Sequence, residues 1–562
     1  MRPPRSIPPE LVAAASAKEG SIETDPIEIL SQRASFAEIE RIGTEEWITL
    51  YFYESYPHGS RCYHCALIPK RQVERAVKDA GWDLMIGNGL PGFSQSHVSG
   101  KMKTRYERFS SLPIEPLILR RSFHGLKPDQ FDILEEFRLF HNLYHDRRNE
   151  KYVHIDDRGE EDVVVEVSPK CVRAKLRYVR QFMAARGLHL AIFFDHIARA
   201  AIEVEKAREK IETFQIANND LRLSFGIGDL SSGETCSRIV GKKLIGPLAL
   251  KECGIWPYES TQIRQYAEFI IDVEPNGKQV TNTCDDEALA NYFGKNPSEP
   301  HFLTPVWFRR EVLRKYYDHP EKFTVEDGYL RCGGLWGLRM DNDLADHVVV
   351  YLGDLGSLAY EEQLYWKSFN IPPVSNQTSA TNYKRSFLAQ FADPTSDDLV
   401  LKQRLVSLQE AWTAQYGWQL FRQLHDDDAH VLKQLRVPLS DSLAEFDHQM
   451  VLLTKLLIDS LNDAELAREL GGANLDEKSI AKLERFLKAR KYPATDRDIQ
   501  LLRLLQAARS TGAAHRKGEK YAKISAQLGL KDKPAPAVFR ELLARVNAML
   551  ADLEGFFIPP EG

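Results

Sequence analysis

Cysteine is scarce in this chain. Seven occur, at positions 62, 65, 171, 236, 253, 284 and 332. An odd number without paired spacing argues against a disulfide framework and for the reduced thiols of a cytoplasm. Long apolar runs are missing too. The best, LHLAIFFDHIARAAI, is broken by charge well short of the ~18 apolar residues of a membrane helix, so no membrane association is expected. The opening MRPPRSIPPELVAAASAKEG offers no apolar stretch suited to a signal peptide. Nor does charge of one sign dominate: 74 Lys and Arg stand against 80 Asp and Glu, a formal net charge of −6. With that balance, any contact with nucleic acid must come from local basic patches and not from a global field.

What is present is ordinary globular material. Hydrophobic residues make up 43% and charged residues 27% of 562, too apolar for a disordered chain and too long for one core. Residues 1–30, rich in Pro and Ala, read as a loose arm. Over 31–250, WITLYFY, EPLILRRSF, DVVVEV and LHLAIFFD read as strands. PDQFDILEEFRLFHNLYHD and CVRAKLRYVRQFMAARG have helical spacing. That mixture predicts an α+β domain.

A second mixed region covers 251–385. It holds a hairpin candidate, AEFIIDVEPNGKQVTNTCD, with an Asn276-Gly277 turn, and a helix-like PVWFRREVLRKYYDH. The polar NIPPVSNQTSATN closes it as a linker. From 395 to 562 the strand signals fade, and five successive segments keep helical periodicity with Asp476, Thr495 and Asp496 as N-cap candidates. This predicts an all-α helical bundle.

One stretch of that bundle, LLRLLQAARSTGAAHRKGEK (501–520), changes character partway. At about 100° per residue Leu501, Leu505 and Ala508 share a face, and a continued helix would add Gly512 and His515 to it. Arg509 falls roughly 80° round from Leu501 and about 9 Å along the axis from His515. Small residues between the two let a partner helix or a phosphate approach. Arg516, Lys517, Lys520 and Lys523 supply a basic rim suited to a polyanion. An arginine and a histidine can cleave RNA without a metal. Histidine takes the 2′-hydroxyl proton or protonates the leaving oxygen, and arginine stabilises charge on the phosphate.

Arg509-Ser-Thr-Gly-Ala-Ala-His515, late in a short helical bundle, resembles the signature of HEPN domains; Ser510 stands where that family often has Asn, Asp or His. The resemblance covers about 400–562 only. It implies a metal-independent, cofactor-free endoribonuclease of a prokaryotic antiviral, abortive-infection or toxin system, with Arg509 and His515 catalytic. Ser510, Arg516, Lys517 and Lys520 are then expected to bind RNA. It also implies a homodimer through the bundle that brings two motifs together, with the N-terminal body or a regulatory protein partner sensing and restraining. The alternatives are a non-catalytic sensor whose bundle only dimerises, or a metal-dependent nuclease in the N-terminal body.

That last alternative rests on Glu136, Asp162, Glu166 and Lys170, carboxylates and a lysine of the kind that hold a divalent ion. An exposed strand face is the plainer explanation. Cys62-Tyr63-His64-Cys65, after His58, has half a zinc site's spacing, but no second pair lies at usable spacing, and buried thiols at a strand end are expected instead. WDLMIGNGLPGF, with Gly87 and Gly89, lacks the lysine and full glycine order of a phosphate loop and reads as a turn-rich connection. The mixed aromatic and basic WFRREVLRKYYDH resembles a nucleic-acid surface, but an amphipathic packing helix is the simpler reading.

Overall fold

Leu188–Ala200 places Leu188, Leu190, Ile192, Phe194, His196, Ala198 and Ala200 on one buried face, while Ala191 and Phe193 are buried on the other. A strand covered on both sides reads as a nearly continuous apolar run, which explains its membrane-like composition. A computed structural model of the chain describes residue 7 and residues 25–78, 91–108, 114–230, 233–258, 264–374, 378–425, 428, 430–472, 474, 477–512 and 519–558. Contacts divide the chain into two units: Met1–Asp156 with Glu160–Gln262, and Asp157–Gly159 with Ile263–Gly562.

The first unit is built on a ten-stranded antiparallel sheet. Its strands are β1 (Trp47–Tyr56), β2 (Gly59–Pro69), β7 (Tyr144–Asp146), β8 (Lys151–Ile155), β9 (Glu161–Val167), β10 (Cys171–Lys175), β11 (Leu188–Ala200), β12 (Phe214–Ala217), β13 (Leu221–Asp229) and β14 (Thr235–Ile245). Their order is β12-β13-β14-β11-β2-β1-β10-β9-β8-β7. Two separate hairpins, β3 (Gly92–Val98) with β4 (Lys101–Glu107) and β5 (Ile118–Arg121) with β6 (Gln130–Ile133), lie outside that sheet.

Helices α1 (Pro26–Ser31), α2 (Arg33–Arg41) and α3 (Leu176–Arg186) give the sheet its apolar cover through Leu30, Phe36, Ile39, Val179, Phe182 and Met183. Asp25 caps α1 by accepting from the Ile27 N–H at 3.0 Å. Gly187, at φ +64°, closes α3 in the left-handed region.

The second unit begins with β15 (Glu268–Val273) and β16 (Gln279–Thr283), the expected hairpin, with Gly277 at φ +86° in its turn. Two three-stranded sheets follow, β21-β17-β22 and β18-β19-β20. They comprise β17 (Pro305–Arg309), β18 (Phe323–Glu326), β19 (Tyr329–Cys332), β20 (Trp336–Arg339), β21 (His347–Tyr351) and β22 (Asn370–Ile371). The bundle then takes over with α4 (Asp397–Tyr416), α5 (Leu443–Thr454), α6 (Ser479–Ala489), α7 (Thr495–Gly512), α8 (Glu519–Leu528) and α9 (Ala535–Phe557). Its core runs from Trp412 through Leu453, Leu505 and Phe539 to Leu550.

The chain is therefore α+β, with a helical C-terminal third. No described helix is long and apolar enough to cross a membrane.

Three helix expectations need correction. Residues 128–146 hold only one helical turn and a half, Glu135–Phe140, between β6 and β7. Pairing of Gln130–Ile133 with Ile118–Arg121 outweighs local spacing, and Asn142 at φ +49° ends any helix. The helical spacing from Cys171 starts only at Leu176, because Cys171–Lys175 pairs with both β1 and β9. Pro305–Arg309 is a strand between β21 and β22, followed by a 3-10 turn at Arg310–Leu313 and a short α-helix at Arg314–Asp318.

Candidate functional site

The face that buries α7 is the one its periodicity predicts: Leu501, Leu502, Leu505 and Ala508 are all buried. Arg509, the next residue, turns off that face with its side chain 33% exposed. Its Nη1 reaches Asp459 Oδ2 at 2.6 Å. Asp459 ends a π-helical turn, Lys455–Asp459, that continues α5. The wide turn is closed by the Ser460 N–H donating to the Lys455 carbonyl at 3.1 Å. Such turns recur where a helix must aim a side chain that regular winding would not.

A second segment braces this turn. Phe421 and Leu461 form an isolated antiparallel bridge, the Arg422 N–H donates to the Ser460 carbonyl at 2.6 Å, and the Asn462 N–H donates to the Leu420 carbonyl at 3.0 Å. Arg422 Nη2 thereby comes within 3.3 Å of the Asp459 carbonyl. On the same π turn, Lys455 Nζ holds Asp428 Oδ1 at 2.6 Å. The Lys455 hydrogen bond keeps the Asp428 carboxyl below its usual range, with His430 and His425 adding positive potential. The π turn thus carries two ion pairs, Lys455–Asp428 at its start and Arg509–Asp459 at its end, with Arg422 on the Asp459 carbonyl.

An exposed pair such as Arg509–Asp459 adds only about 0–1 kcal/mol to stability. Among the described residues it engages one of the guanidinium's five N–H donors, and the others can serve a phosphate oxygen.

Of the other expected RNA contacts, Ser510 is exposed, but its hydroxyl donates to the Ala507 carbonyl of its own helix at 3.1 Å. Lys520 is exposed on α8, which packs on α7. His515, Arg516 and Lys517 lie outside the described residues, as do Asp476, Gly87 and Gly89. Asp459 and Lys455 have a faint sequence signal that sequence reasoning passed over. They are the only charged residues in MVLLTKLLIDSL, at i and i+4 on one helix side. Arg422 has none.

The remaining candidates are engaged otherwise. Asp162 is held by Lys175 at 2.7 Å, Arg177 at 2.6 Å and the Tyr178 hydroxyl at 2.8 Å. Burial works to raise its carboxyl, but these partners win and lower it. Glu166 pairs with Arg173 at 2.6 Å, and Glu136 pairs with Arg186. Lys170 sits in the β9–β10 turn, its carbonyl accepting from the Tyr53 N–H. Cys62 and Cys65 are three apart on β2 and so point to opposite faces. Burial pushes the Cys65 thiol up to about 12, where it stays protonated. The His58 carbonyl accepts from the Arg199 N–H at 2.7 Å. Among the described residues no group of three or more His, Cys, Asp or Glu is placed to hold a metal ion.

No family model, curated protein or solved structure matches this chain.

Proposed function

We propose that the C-terminal bundle is a metal-independent RNA endonuclease of HEPN type, serving a prokaryotic antiviral or toxin system. Support comes from Arg509, a partly exposed guanidinium at the end of a buried bundle helix, braced by Asp459, whose carbonyl also takes Arg422. In this reading His515 takes the proton from the RNA 2′-hydroxyl, whose oxygen attacks the adjacent phosphorus. The P–O5′ bond breaks, and the second motif of a dimer protonates the departing oxygen. Arg509 stabilises the charge that develops on the phosphate. The products are a 2′,3′-cyclic phosphate and a 5′-hydroxyl, and no cofactor enters. The first unit or a partner protein restrains or triggers the bundle, and seven cysteines outside any disulfide fit a reducing cytoplasm.

The second reading is a bundle that dimerises without catalysis. In its favour, the guanidinium already has a carboxylate, as a structural ion pair would.

Cleavage of single-stranded RNA, measured beside the melting temperature, separates the two. Arg509→Ala and His515→Ala each abolish cleavage with melting nearly unchanged, and wild-type cleavage persists in EDTA. A folded double variant that cuts like wild type refutes the assignment. Loss of cutting in EDTA together with its abolition by Glu166→Ala moves the activity to the first unit.

A further inference from the structure

The β3–β4 ribbon is locally basic. Within a protein of net charge −6, residues 92–108 carry four Lys and Arg against one Glu. The strands pair from Gly92↔Glu107 to Val98↔Lys101 around a two-residue turn, Ser99 at φ +50° and Gly100 at φ +76°. Two positive φ values in succession make the turn whose twist suits a hairpin, so register is fixed.

That register sorts the side chains. One face carries Lys101, Lys103 and Arg105, with Val98, Ser96 and Ser94 opposite, and ends at Glu107; the other carries Phe93, Tyr106, Gln95, Thr104, His97 and Met102. The three cations repeat every second residue, about 6.8 Å apart. None pairs with an acidic side chain among the described residues, and all three are exposed. Phe93 is 77% and Tyr106 57% exposed, their rings packed edge-on at 5.5 Å. The ribbon is its own two-stranded sheet, a structure marginal in water without cover.

We infer that this ribbon is a binding surface for single-stranded RNA. Evenly spaced, unpaired cations match a polyphosphate, which repays them by counterion release. The ribbon is only two strands, about 5 Å, wide, so a strand following the β4 edge sets phosphates against the cations and turns its bases over the edge onto Tyr106 and Phe93. Base-on-ring stacking is indifferent to sequence and favours unpaired bases. Val98 and Met102 are exposed beside the Ser99–Gly100 tip, but each faces a polar cross-strand partner, Lys101 and His97, so the tip is mixed and no apolar wedge for a membrane. The inference is independent of whether the bundle cuts RNA.

The test is fluorescence anisotropy of the full chain with a labelled 2′-O-methyl oligouridine. This probe lacks the nucleophilic hydroxyl, so binding is read whatever the bundle does. Charge reversal in the triple variant K101E/K103E/R105E weakens binding at least tenfold. It also shallows the slope of log affinity against log salt by about 2, from three contacts at ~0.7 each. Phe93→Ala with Tyr106→Ala weakens binding about tenfold at unchanged slope. Unchanged melting temperatures confirm that both variants fold. Wild-type affinity and slope in the triple variant overturn the assignment, as does tighter wild-type binding to a duplex of the same length or to anionic vesicles.

Discussion

His196 shows how much one side chain can burden this fold. It is fully buried on β11, edge-on to Tyr63 at 4.9 Å, and among the described residues neither ring nitrogen has a hydrogen-bond partner. Burial, with Arg61 adding positive potential, lowers its pKa to about 3. The folded state therefore refuses a proton that the unfolded chain accepts below about pH 6.5. Stability is intact above that value and falls as pH drops from 6.5 towards 3. His196→Leu removes both the orphaned nitrogens and the titration. Urea unfolding of the variant is expected to lose about 2 kcal/mol less than wild type between pH 8 and pH 5. An identical loss in both proteins would place the acid sensitivity elsewhere, His141 being next, its pKa lowered to about 4 by burial.

Among the elements, α7 matters most for the proposed function, since it carries Arg509 on a buried helix and ends at the small residue Gly512. One Arg509–His515 pair offers a phosphate few groups, and a second copy across a two-fold axis would deepen the cleft. Gly512→Leu is expected to weaken dimerisation and RNA cleavage together, read by light scattering and a nuclease assay. A wild-type monomer that cleaves at full rate sinks the dimer. The periodicity of α7, α9 and the hairpin at Asn276-Gly277 was legible because each element's burial follows from its own local pattern. Gln130–Ile133 and Pro305–Arg309 were not, because their strand character comes from partners elsewhere in the chain. The Asp459–Arg422–Arg509 cluster was hidden for the same reason, joining segments about 40 and 50 residues apart.

At the scale of the whole second unit, a buried charge network ties the small sheets to the bundle. Asp398, at the start of α4, lies 3.6 Å from the Arg310 guanidinium and accepts from the Ser396 hydroxyl at 2.7 Å and the Val437 N–H at 3.1 Å. Burial works to raise its carboxyl, but Arg310 and these donors lower it overall. A carboxylate depressed in this way supports folding above about pH 4, and that support is lost as pH falls through its folded value. Asp398→Asn is expected to cost about 3–5 kcal/mol at neutral pH, leaving Arg310 buried and uncompensated, and to flatten the acid limb of a melting-temperature profile. A variant with the wild-type profile would show that the network carries little. In the first unit, the order of the strands sets a schedule for biosynthesis. The β1–β2 hairpin wedges between β10 and β11, and Pro69 meets Leu188 across 118 residues of intervening sequence. At about 5–20 residues per second, a ribosome exposes the finished hairpin for roughly 6–24 s before its second neighbour emerges. β10 emerges only shortly before β11, so for most of that interval both edges are open, and a nascent-chain chaperone has its longest opportunity at Trp47–Pro69.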